Sequence, residues 1–149
     1  MMQTRKLMQS LNIDFGGIEL AINGDESRVI RFDPEDVGFV DRFYDLIAAF
    51  ETKEKEYREK LDRLDKESKP DKHGIPKNAK EYIQLLRGVC EDIRADIDGV
   101  FGEGTSQTAF GNTLNLDVFV QFFQGITPFI QQSREKKAEK YLAETTALQ

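Results

Sequence analysis

The chain has 149 residues, 39% hydrophobic and 32% charged, and 27 acidic against 21 basic side chains leave a net charge of −6. That balance argues against nucleic acid or an anionic membrane as the main partner, because both reward basic patches. One cysteine, Cys90, excludes an internal disulfide and fits a reducing cytosol, and no apolar run approaches the ~20 residues of a membrane span.

The opening stretch, MMQTRKLMQSLNID, has two cations but no long apolar run and no small-residue cleavage site. It does not read as a signal peptide. Residues 12–33 read as strands. Ile13 and Phe15 alternate with polar neighbours, and Ile18, Leu20 and Ile22 do the same. Gly16-Gly17 between the two runs is a two-residue hairpin signal, and Asn23-Gly24 marks a second turn before Arg28 to Phe32. The pattern predicts a three-strand antiparallel β-meander. So small a sheet cannot bury both faces and must lean on helices or on another subunit.

A long charged helix is expected over 34–67, with Asp33 as N-cap, Pro34 at the first position and Glu35 and Asp36 in the first turn. Phe43, Ile47, Phe50, Glu54, Tyr57, Leu61 and Leu64 form a heptad seam with one charged intruder. Outside that seam the outer half is nearly all charge. It is expected either to form half of a helical hairpin or to pair with a partner chain. Residues 68–78 hold two prolines and a glycine and read as a loop.

A helical body is expected over 79–132. Its first helix carries the apolar stripe Tyr82, Leu86, Val89, Ile93, Ile97 and Val100. The glycine-rich segment 98–112 follows, with Gly99, Phe101, Gly102, Gly104, Phe110 and Gly111. Its two phenylalanines predict a loop pinned to the core, and Thr105 or Ser106 is placed to cap a short helical turn. Asn115 to Ile126 reads as an aromatic helix bearing Phe119, Phe122 and Phe123, with Phe129 beyond. Thr127-Pro128 is expected to kink that helix or restart it with Thr127 as N-cap. Residues 133–149 read as a polar tail, helical at first and then frayed. The fold expected is one domain over 1–149: α+β, predominantly helical, with a small N-terminal meander packed on a helical body.

Catalytic patterns are nearly absent. His73 sits in the Pro/Gly loop between lysines and reads as a solvated side chain. Cys90 is flanked by Glu91, and anionic neighbours raise a thiol pKa, the opposite of activation. Asp92 and Asp96 share a helix face, and Asp98 follows, but their spacing is not that of a calcium loop. Gly-Glu-Gly-Thr-Ser lacks the lysine and the preceding strand of a phosphate loop. No catalytic residue, metal or cofactor is expected. Two aromatic stripes are dense for so short a chain, which points to protein contact. The candidate contact residues are Phe43, Ile47, Phe50, Tyr57, Leu61, Phe119, Phe122, Phe123 and Phe129.

Two stretches carry a resemblance: CEDIRADIDGVFGEGTSQTAFG, Cys90 to Gly111, and VFVQFFQGITPFIQ, Val118 to Gln131. An acidic helix, a D-x-V/I-F-G-x-G-T/A loop, a short F-G turn and an aromatic helix leading to a polar tail resemble the tail assembly chaperones of long-tailed bacteriophages of Gram-positive hosts. The opening IDFGG and the D-P helix start are similar too, while Glu51 to Glu67 matches least. The resemblance implies a non-enzymatic factor in the host bacterial cytoplasm. Such a factor binds the tape measure protein, recruits tail tube subunits and leaves before the tail is complete. The alternatives are an oligomeric connector or adaptor of a phage, built on the Phe43 to Leu64 seam, and a metal-dependent enzyme using Asp92, Asp96 and Asp98.

Overall fold

Strand β1 (Ile18–Ile22) and strand β2 (Asp25–Phe32) form an antiparallel hairpin in the computed structural model, which describes residues 7–67 and 69–147. The turn is Asn23-Gly24, with φ of 54° and 76°. Positive φ at both central residues is what the twist of a two-residue hairpin requires, and Asn-Gly supplies it at least cost. Ile18 lies opposite Phe32 and Leu20 opposite Ile30, so one face is apolar. Glu19 and Arg31 are opposite each other on the other face and form a 2.6 Å ion pair in solvent.

The expected meander is therefore a two-strand hairpin. Residues 12–17 carry no strand, and Gly16 and Gly17, with φ of 71° and 110°, make no hairpin turn. Ile13 and Phe15 are 57% and 82% exposed. The alternation is real, but among the described residues this segment pairs with no strand. Residues 1–6, the start of the stretch read as lacking a signal peptide, lie outside the described residues.

Helix α1 (Val37–Lys66) begins later than Pro34. The Asp33 carboxylate accepts the Glu35 N–H at 2.9 Å, and the Asp36 N–H donates to the Asp33 carbonyl at 3.2 Å. Asp36 is extended, with φ −76° and ψ 110°, and its carboxylate accepts the Gly38 N–H at 3.0 Å. The second aspartate of the segment is thus the N-cap, and Asp33-Pro34 forms a tight turn that holds Pro34 buried.

Helix α2 (Ala79–Phe101) returns along α1 as an antiparallel hairpin. Lys53 and Asp96 meet across it at 2.5 Å, and the Asn78 side-chain amide donates to the Leu64 carbonyl at 2.5 Å. Of the two expectations for the long charged helix, the structure takes the intramolecular one. Asp71 organises the connecting loop by accepting the N–H groups of His73 and Ile75.

Helix α3 (Thr105–Phe110) and helix α4 (Leu116–Ala147) complete the body. Helix α4 runs unbroken through Pro128, so Thr127 is not an N-cap and 132/133 is not a boundary. The Thr127 hydroxyl donates instead to the Phe123 carbonyl at 2.7 Å, back-bonding that accompanies the local loss of a backbone donor at Pro128. Residues 148–149 of the predicted tail are outside the described residues.

The observed fold is α+β and predominantly helical, as the pattern predicts. One apolar cluster joins β2 to all four helices, through Ile30 and Phe32, Phe43 and Phe50, Ile93 and Ile97, Phe110, and Phe119 and Phe123. Phe101, itself half-buried, packs against it. Its ring lies 5.7 Å from Phe32, 5.2 Å from Phe39, 6.0 Å from Phe43 and 5.2 Å from Phe122, all edge-to-face. That geometry sets the positive ring edge against the negative ring face. Phe101→Ala is expected to lower the unfolding free energy by about 3 kcal/mol, read from the urea midpoint at unchanged m-value.

Candidate functional site

The glycine-rich segment is a built connector between α2 and α4. Gly102 ends α2 with φ 117°, and Gly104 precedes α3 with φ 88°. A β-carbon is disfavoured at both values, which is why glycine stands there. Gly104 occupies the N-cap position of α3 and has no side chain to cap with. The cap comes from Asp98, one turn before the end of α2. Its carboxylate accepts the Ser106 N–H at 2.7 Å and the Ser106 hydroxyl at 2.9 Å. Neither Thr105 nor Ser106 is the cap, because each already lies inside the helix.

The other end of α3 is held from β2. The Arg28 guanidinium donates to the Thr108 carbonyl at 2.9 Å and to the Ala109 carbonyl at 2.7 Å. These are among the carbonyls that a helix C-terminus leaves without partners. A six-residue helix has little stability of its own. Here a carboxylate closes its positive end and a guanidinium its negative end, the favourable sense of the helix dipole. Nothing local in the sequence marks Arg28 for this role, since its partners are 80 and 81 positions away. Arg94 adds a tie on the outer side, donating to the Thr113 carbonyl and the Gln107 side chain.

The three aspartates weighed for metal chemistry are spread apart in role. Asp98 caps α3 and Asp96 pairs with Lys53. The Asp96 carboxylate holds the Lys53 ammonium pKa above its usual value. Among the described residues, no group of three His, Cys, Asp or Glu side chains is close enough to hold a metal ion. His73 is exposed in the loop. Cys90 is fully buried, and burial, with Glu91 adding to it, pushes its thiol pKa up.

The candidate contact residues divide sharply. Phe43, Phe50, Phe119, Phe122 and Phe123 are buried in the core. In this conformation they offer nothing to a partner, because α1, α2 and α4 satisfy one another's aromatic stripes. Ile47, Tyr57 and Leu61 are half-buried along α1, and Phe129 is 37% exposed on α4. Phe101 and Phe110 take their expected place as anchors, Phe110 packing edge-on to Phe119 at 4.8 Å.

Burial along the α1–α2 hairpin fades toward its tip. Phe43, Leu46 and Phe50 of α1 and Val89, Cys90, Ile93 and Ile97 of α2 are buried. Tyr57, Leu61 and Leu64, with Tyr82, Leu85 and Leu86, are only half-buried, and Ile83 is exposed. A crevice at the tip is lined by Leu64 and Leu85 and rimmed by Lys60, Arg63, Glu67 and Glu81. The largest apolar exposures lie outside the predicted contact set: Leu7, Met8, Leu11 and Phe15, each above four-fifths exposed.

A family model described as a family of unknown function (DUF6673) matches residues 23–147, most of the chain, and the chain belongs to that family. No curated protein and no solved structure matches it. The matched span begins at the hairpin turn and contains the whole Asp98–α3–Arg28 arrangement.

Two outcomes are expected from that geometry. Asp98→Ala and Arg28→Ala should each cost about 1–2 kcal/mol. The double variant should cost less than their sum by ~0.5 kcal/mol or more, because α3 is lost once either end opens; urea denaturation of the four proteins measures the coupling. Cys90 should react with a disulfide reagent at pH 8 only slowly in the folded protein. In denaturant it should react at the rate of a free thiol, which an absorbance time course reads directly.

Proposed function

We propose that this chain is a non-enzymatic phage tail assembly chaperone that binds the tape measure protein and recruits tail tube subunits in the host bacterial cytoplasm. The observation that carries the reading is the tip of the α1–α2 hairpin. It holds a half-buried apolar seam with both signs of charge on its rim. An amphipathic helix of a client laid in such a groove would bury its apolar stripe against Leu64 and Leu85. The polar rim suits a contact that must later release.

Other features support the same reading. Four of the six residues fixed in the D-x-V-F-G-x-G-T segment that carries the resemblance have a structural rationale: Asp98 caps, Phe101 anchors, Gly102 and Gly104 take positive φ. No helix among the described residues is long and apolar enough to cross a membrane. The inner part of the heptad seam, Phe43 and Phe50, is buried inside the chain, while its outer part at the hairpin tip stays half-buried.

Titration with a helical tape measure fragment, followed by calorimetry, tests the proposal. Binding is expected, and Arg63→Glu with Leu64→Ala should weaken it by roughly tenfold with an unchanged circular dichroism spectrum. Binding that ignores both substitutions would move the client site elsewhere. A wild-type chain that assembles into a closed ring and binds no fragment would favour the connector reading.

A further inference from the structure

The N-terminal arm, residues 7–17, is the largest apolar feature that the body does not absorb. Leu7, Met8, Leu11, Ile13 and Phe15 are 94%, 96%, 84%, 57% and 82% exposed. Its described hydrogen bonds are local: Ser10 to Asn12, and the Gly16 N–H to the Asp14 carboxylate. A monomeric surface seldom leaves that many large apolar side chains in one exposed run.

The body carries a matching vacancy. Among the described residues the sheet has two strands, so each has one edge without a strand partner there. Two crevices follow one another along β1 and α4. The first is lined by Leu20 and Ile22 with Val118, Phe122 and Ile126, and has a volume of about 330 Å³. The second is lined by Gly17 and Ile18 with Phe129 and Ser133. The Ser133 hydroxyl is buried there and has no hydrogen-bond partner among the described residues. An orphaned buried hydroxyl calls for a donor or acceptor from outside.

We infer that the arm of one copy docks along β1 and α4 of a second copy, adding the third strand that the alternation of Ile13 and Phe15 encodes. Gly16 and Gly17, both at positive φ, stand between the arm and β1 and would act as the hinge. An extended arm of this length reaches roughly 30 Å, enough to cross to a neighbour packed at the hinge. Ile13 and Phe15 on one face of the incoming strand would cover Leu20, Ile22 and Phe122, and its backbone would satisfy the Ser133 hydroxyl. Each copy holds one arm and one groove, and the exchange is the two-fold one in which each arm fills the other copy's groove. It closes at two copies.

The test is a concentration series of the full chain by light scattering, with hydrogen exchange of amides 12–16 at each concentration. A dimer is expected, with protection of those amides rising as dimer forms. Ile13→Asp with Phe15→Asp should raise the dimer dissociation constant by roughly tenfold or more and leave the helical spectrum unchanged. Three outcomes would overturn the inference. One is a chain that stays monomeric throughout. Another is protection independent of concentration, which would mean that the arm folds back on its own β1. The third is a dimer indifferent to the double substitution.

Discussion

The fold depends on one aromatic cluster, and Phe101 bridges three of its elements from the edge. Its ring touches phenylalanines from β2, α1 and α4, while its backbone ends α2. A hairpin of two strands is not stable alone in water. Helix α3, six residues long, is not either. Each becomes stable by covering the same aromatic cluster. The cluster in turn is closed only when the hairpin lies over one side and α4 over the other. The dependence is mutual, which makes the body cooperative despite its small elements.

Polar contacts decide the direction of what the cluster merely attracts. Phenylalanine packing tolerates several arrangements at similar cost. Asp98 and Arg28 are less tolerant, because a half-buried charge that loses its partner is expensive. By bonding the two ends of α3, they link the end of α2 to β2 through a single turn of helix. The glycine-rich segment is therefore a joint with a fixed angle. Its glycines permit the turn, and its aspartate selects it.

The long α1–α2 hairpin is built differently. Its base is core and its outer half is surface, and the transition falls after Phe50, where the seam meets Glu54. Beyond that point α1 and α2 bury each other only partly. A protruding hairpin with an under-covered seam is well suited to hold a helical client. The exposed arm lies on another part of the chain, so the proposed client contact and the proposed arm exchange use different surfaces.

Local chemistry was legible wherever neighbours in sequence are neighbours in space. The Asn23-Gly24 turn, the loop between the helices, the helical stripes and the glycine-rich connector all follow from such short-range rules. The α+β class follows from their order. Boundaries were less legible at Asp33-Pro34, where two aspartates compete to cap one helix, and at Thr127-Pro128, where the surrounding helix continues past a missing donor. Long-range partners were not legible. No pattern near Arg28 announces the carbonyls of Thr108 and Ala109. The aromatic stripes likewise could not say whether they would satisfy one another or face a partner. Sequence alone determined the helices, the β1–β2 hairpin and their apolar faces, because periodicity and turn chemistry act over a few residues, but the strand and turn read at Ile13 to Gly17 do not form. Only the tertiary structure decided that Phe43, Phe119 and Phe123 lie inside and the hairpin tip and the arm outside, because burial depends on which elements meet.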